Sequence, residues 1–79
     1  MLKLRIVSPE RVVYDGDVES VKVPGTLGAF EILKDHAPII SSLTVGKVEY
    51  QAPDRLYSIE VKGGFVEVQK NEVSLCVEV

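Results

Sequence analysis

His36 and Cys76 are the side chains of this sequence best suited to nucleophilic or acid–base work, and they lie far apart in the chain. Neither has an evident companion, and no serine stands in a Gly-x-Ser-x-Gly elbow. A metal site would have to combine His36 with neighbouring carboxylates such as Asp35 and Glu31, a grouping that chance often supplies on a loop. Gly63-Gly64 is no phosphate loop, because no Lys-Ser/Thr follows and no helix start is available; Gly25–Gly28 fails the same test. With a single cysteine there is neither an internal disulfide nor a cysteine-based metal site. Catalysis is therefore disfavoured, no cofactor is expected, and a small enzyme is the weakest of the readings.

The elements that carry these residues are short and extended. Leu2-Lys3-Leu4-Arg5-Ile6 alternates apolar and basic, the period of a half-buried strand, and Ser8-Pro9-Glu10 ends it. Asp15-Gly16 reads as a turn, so Val12–Tyr14 and Val18–Val23 form a hairpin or a bulged strand. In the second run Glu19, Val21 and Val23 share one face, and Val18, Ser20 and Lys22 the other. Further strands follow at Ile39–Leu43, Lys47–Tyr50, Tyr57–Val61 and Phe65–Gln69, and the last alternates Val73, Leu75 and Val77 with Ser74, Cys76 and Glu78. Val45-Gly46, Ala52–Arg55 and Lys70-Asn71 are the turns between them. No helical period occurs anywhere. The expected fold is all-β: a two-sheet antiparallel β-sandwich, or a small barrel, of about eight to ten short strands.

Val23–Ile40 organises the chain, because it holds His36, two of the four prolines and two of the six glycines. Pro24-Gly25 and Pro38 forbid a continuous ladder through it, so it crosses between sheets or forms an exposed corner. Gly63-Gly64 permits a sharp bend or the close approach of another backbone.

Size sets a further limit. For 8.7 kDa the scaling of surface with mass gives one domain, residues 1–79, with a folded area of roughly 4,700 Å² and about 62% of the unfolded surface buried. Such a thin core benefits from a partner, or from a sheet folded back on a second sheet. Net charge is −3, with acids and bases interleaved, so no basic strip exists to hold nucleic acid. Neither a signal-peptide run nor a window near the ~20 apolar residues of a membrane span is present. That predicts a soluble chain, still able to sit on a membrane complex.

The order of motifs is more telling than any one of them. Val7-Ser8-Pro9-Glu10 precedes Val12-Val13-Tyr14-Asp15-Gly16 and Val21-Lys22-Val23-Pro24-Gly25. A glycine-containing bend leads to Ile32-Leu33, then His36-Ala37-Pro38-Ile39-Ile40 and Leu43-x-x-Gly46. Val61-Lys62-Gly63-Gly64-Phe65-Val66-Glu67-Val68 and a last strand close the series. Over essentially all its length the sequence resembles the N-terminal β-sandwich domain of the ε subunit of F-type ATP synthases, the δ subunit of mitochondrial usage. The resemblance implies a non-catalytic rotor subunit on the cytoplasmic face of the bacterial inner membrane, with the γ subunit and the membrane c-ring as partners. It also implies that the family's C-terminal helical pair, and inhibition by it, are absent.

By motif position the resemblance puts Ser8, His36, Pro38 and Ser41 at the γ-facing surface, and Thr26, Leu27, Ala29 and Glu31 at the c-ring. The family's Gly-Glu-x-Gly-Ile/Val bend stands here as Gly28-Ala29-Phe30-Glu31-Ile32, and its glycine before the histidine is Asp35. Taken without the resemblance, each residue has a plainer reading. His36 is a corner histidine bonded to local backbone, while Ser8 and Ser41 are polar strand ends. Leu27 is a loop-tip residue that tucks inward, Pro38-Ile39-Ile40 is core, and Cys76 is a small buried hydrophobe. The alternative function is an unrelated β-sandwich module that binds a ligand or peptide in a concave pocket.

Overall fold

A computed structural model describes residues Met1–Val79. Nine strands follow one another: β1 (Leu2–Val7), β2 (Val12–Val18), β3 (Ser20–Gly25), β4 (Gly28–Ile32), β5 (Ile39–Leu43), β6 (Gly46–Gln51), β7 (Leu56–Val61), β8 (Gly63–Gln69) and β9 (Glu72–Glu78). Their hydrogen-bonded order is β2-β1-β9-β8-β5-β3-β6-β7, with β4 on the free side of β3. The all-β expectation and the strand count hold. Two details go beyond the expectation. The layers belong to one curled ladder, and β1 runs parallel to β9, with Ile6 opposite Leu75.

The curl has a local cause in β3. From Ser20 to Lys22 this strand pairs with β6, and at Gly25 it meets Leu43 of β5 instead. Two backbone bonds flank that step, from Thr26 N–H to the Ser42 carbonyl at 3.1 Å and from Thr44 N–H to the Pro24 carbonyl at 2.9 Å. A strand residue sends its N–H and C=O to the same side. The proton that Pro24 lacks would therefore have pointed at the place where pairing with β6 has ended. Gly25 is required for a different reason: an added Cβ would lie 2.7 Å from the Gly28 carbonyl oxygen and 2.9 Å from the Phe30 ring. The stretch does cross between layers, yet it keeps its ladder to β4 through Pro24↔Ala29.

The far ends of the ladder, β2 and β7, meet through side chains. Tyr14 on β2 stands 4.7 Å from the Tyr50 ring of β6 and 6.2 Å from the Tyr57 ring of β7. Tyr50 and Tyr57 stack at 5.4 Å, and the Arg55 guanidinium lies 4.6 Å from the centre of Tyr57. This aromatic group explains why Asp15-Gly16 is not a turn. Gly16 lies within β2 opposite Leu4, and the Tyr14 ring folds over the space where its side chain would be. The chain reverses earlier, at Ser8–Arg11, where Ser8 N–H bonds the Arg11 carbonyl.

Between the layers lies one apolar cluster. Leu2, Leu4, Ile6, Val66, Val68, Val73, Leu75 and Val77 come from one layer, and Val21, Val23, Ile32, Val48 and Tyr50 from the other. Strict alternation fails in two places: where β1 and β2 shift register, so that Val13 and Tyr14 both pack on the core, and at Glu19, expected inward with Val21 but exposed, because the chain bends there and turns both Val18 and Val21 to the core. The accessible surface is 4843 Å², close to the roughly 4,700 Å² that mass alone gives.

Gly64 closes the list of constraints, and it realises the close-approach reading of the double glycine. Its φ is +139°, and a Cβ there would fall on the Cys76 carbonyl of the neighbouring strand. Gly64→Ala is expected to destabilise the domain by about 3 kcal/mol or more, or to prevent folding, as read by urea titration. Burial raises the Tyr50 phenol above its usual value, with Tyr14 and Tyr57 adding to the effect. A phenol that ionises at higher pH when folded gives stability that is full below about pH 10 and lost as pH rises through the folded value. Denaturant midpoints should therefore fall above about pH 10, and fall less steeply in Tyr50→Phe.

Candidate interaction surfaces

The sequence candidates divide into two places. Thr26, Leu27, Ala29 and Glu31 come together on the β3–β4 hairpin. Inward-facing Phe30 and Ile32 anchor β4, so Ala29 and Glu31 face solvent opposite Pro24 and Lys22. At the tip Leu27 is fully exposed, 104% of its reference area, which overturns the inward-tucked reading. Thr26 ties the tip to β5 by a 2.9 Å hydrogen bond between its hydroxyl and that of Ser42. An exposed leucine on a pinned hairpin is available to another molecule at little cost in conformational freedom.

Ser8, His36, Pro38 and Ser41 are more spread out. Ser8 caps the β1–β2 turn, sharing 3.3 Å bonds with the backbone of Arg11. His36 stands in the β4–β5 connection, where its amide bonds the Leu33 carbonyl at 3.1 Å. Its Nδ1 lies 2.7 Å from the Ala37 carbonyl, as the local-backbone reading expects, and its ring is 6.4 Å from Phe30. Lys3 N–H donates to the carbonyl of Asn71, in the β8–β9 turn, at one end of β1, and Ser8 follows its other end. Because the His36 loop docks on that same Asn71, Ser8 and His36 lie roughly 17 Å apart along the strands, at about 3.3 Å per residue. Ser41 turns to the inner side of β5 beside buried Val66, half-covered, whereas Pro38 is exposed.

Asp35 has a defined place in that loop. Its φ is +65°, a conformation that costs a non-glycine residue strain. Against that cost it makes two bonds to Asn71: its amide donates to Oδ1 at 2.6 Å, and its carboxylate accepts from Nδ2 at 3.1 Å. Glu31 stands apart on the outer face of β4, and no group of three or more His, Cys, Asp or Glu side chains is placed to hold a metal ion.

A further surface feature is one that residue-by-residue reading missed. On the outer face of the β5-β8-β9-β1-β2 layer, Ser42, Phe65, Cys76, Val7 and Val12 are directly opposed across the strands. Phe65 is half exposed, as is Val12, and Ile40 on the next row of β5 is 73% exposed. Ile40 is thus surface rather than core, and Cys76 is half-buried on this face rather than buried. Both lie on the outward parity of their strands: Ile39 and Leu75 take the core side. Period-2 alternation signalled Ile40 and Cys76 as outward, whereas Val12 is turned out by the register shift between β1 and β2; only the register joins these residues on one face.

Fold and surface together define a small all-β sandwich domain whose distinctive residues are outward-facing apolar ones. Comparison with known proteins gives the family. The family model described as "ATP synthase, Delta/Epsilon chain, beta-sandwich domain" matches residues 1–79. The chain belongs to this family. It is 42% identical over 77 residues to the ATP synthase epsilon chain of Leptospira borgpetersenii, covering 98% of this chain and 61% of that relative. The ATP synthase epsilon chain of Chlorobium limicola is also 42% identical, and there the match covers 96% of this chain and 88% of the relative. The chain thus spans less than two thirds of the Leptospira relative but most of the Chlorobium one. A chain in the cryo-EM structure of the Euglena gracilis mitochondrial ATP synthase (OSCP/F1/c-ring) superposes with a TM-score of 0.90. Identity there is 16%, over 96% of this chain and 49% of that one, a likeness of fold.

The exposed tip and the core strand behind it should respond oppositely to substitution. Leu27→Ser is expected to leave urea stability within about 0.5 kcal/mol of the parent. Ile32→Ala, two residues into the inward-facing set of the same hairpin, should cost about 2–5 kcal/mol.

Proposed function

We propose that this chain is a non-catalytic central-stalk subunit of an F-type ATP synthase. In this reading it joins the γ subunit to the membrane c-ring, so that ion-driven rotation reaches the catalytic head. It works on the cytoplasmic face of the bacterial inner membrane, held there through the complex. Chemistry belongs to other subunits.

The observation that carries the proposal is the apolar row Phe65–Cys76–Val7–Val12 with Ile40 beside it, which no part of the chain covers. A thin 79-residue core gains by burying such a row against a partner. Ser8 adjoins the row at Val7, and Pro38 adjoins it through Ile40; these, with His36, are the residues we assign to γ, while the inward-turned Ser41 would act only through its place on β5. The hairpin of Thr26, Leu27, Ala29 and Glu31 is separate from that face, and we assign it to the ring. Two distinct surfaces on one rigid domain are what a joint between two bodies needs. Family membership and the central-stalk structures among the similar folds support the same reading.

Co-purification tests it. A tagged chain should bring down γ and c subunits in mild detergent, and Phe65→Glu should weaken capture of γ by about tenfold or more while the domain stays folded. Recovery of neither subunit with the parent chain would overturn the proposal.

A further inference from the structure

The β4–β5 connection carries His36 and Pro38 across from one layer to the other, and little of it is buried. Leu33, Lys34, Asp35, Ala37 and Pro38 are all exposed. Within the loop one backbone bond, His36 N–H to Leu33 carbonyl, closes a single turn. Apolar packing therefore does little to fix where His36 and Pro38 stand.

What holds the loop comes from 36 residues away in sequence. Asn71 accepts the Asp35 amide at 2.6 Å and returns a hydrogen bond to the Asp35 carboxylate at 3.1 Å. Asn71 is itself immobilised twice over. Its own carbonyl accepts from Lys3 N–H at 2.9 Å, and its φ of +62°, following +52° at Lys70, belongs to the tight turn joining β8 and β9. Both ends of the pair are thus left-handed residues that keep their strained backbone while spending their side chains on each other.

We infer that Asn71 is a positioning residue: through Asp35 it fixes the loop that presents His36 and Pro38, and so sets the geometry of the γ contact from the far hairpin. The inference rests on the assignment of His36 and Pro38 to γ. Asn71 is assigned no contact with γ; it acts through the Asp35 pair. The loop is held by a reciprocal amide–carboxylate pair, which has a definite response to exchange of its members. An amide at both positions can still pair, two carboxylates repel, and exchanging the two groups restores the pair.

The test uses Asn71→Asp, Asp35→Asn and the double exchange D35N/N71D in the full chain. Amide hydrogen exchange and NMR shifts report the loop, and affinity for purified γ reports the contact. Asn71→Asp should cut protection of the Asp35 and His36 amides by roughly tenfold and weaken γ binding by a similar factor, with the core strands unchanged. Asp35→Asn should change both by about threefold or less, and D35N/N71D should recover both. A simple loss of stability would be deepened, not reversed, by the second substitution. Unchanged protection at Asp35 and His36 in Asn71→Asp overturns the inference, as does loss without recovery in the double exchange. Loosening with unaltered γ affinity also overturns it. In that case His36→Ala separates the causes: if that variant too binds γ like the parent, the assignment of His36 to γ has failed.

Discussion

The structure depends on one strand changing partners. β3 leaves β6 after Lys22 and takes up β5 at Gly25, and at that step the ladder turns from one layer into the other. Proline and glycine make the step feasible by what they lack. Pro24 has no proton to leave unpaired at the switch, and Gly25 has no Cβ to meet Gly28 and Phe30. The rest of the core follows, because valines and leucines of both layers become neighbours only when the ladder has turned there.

A curled ladder still has two ends, and free edges invite pairing with other chains. Here the ends are brought together by the three tyrosines, with Gly16 as the slot that admits the Tyr14 ring. The Glu19 N–H bond to the Gln51 carbonyl at 2.7 Å adds a backbone tie at the same side. With hydrogen bonds closing one side and aromatic packing the other, both candidate surfaces rest on a rigid base. The β3–β4 hairpin grows directly from the switch, and the apolar row lies on the outer face of the layer that β5 completes. Rigidity of this kind suits a domain that would transmit force by contact.

Where reading the residues succeeded, the signal was local. Alternation in Leu2–Ile6, Tyr57–Val61 and Val73–Val77 named strands and inward residues, since a side-chain period of 2 leaves no other choice when one face is buried. Lys70-Asn71 announced a turn, and both residues have positive φ. Reading failed where a distant contact overrode the local signal. Asp15-Gly16 has the composition of a turn, yet Gly16 serves a ring two residues away and a strand opposite. Ile40 and Cys76 looked like core because of their types, but their parity on β5 and β9 turns them outward.

By itself, then, the sequence determined the strand class, the alternating faces, the central stretch and the order of motifs that marks the family, all properties of neighbours along the chain. Tertiary structure decided what depends on register. It set β1 parallel to β9, joined Phe65, Cys76, Val7 and Val12 into one exposed row, and placed Asn71 against Asp35. The pairing of β1 with β9 and the contact of Asn71 with Asp35 connect residues tens of positions apart, and a one-residue slip in any strand would have sent each side chain to the opposite face.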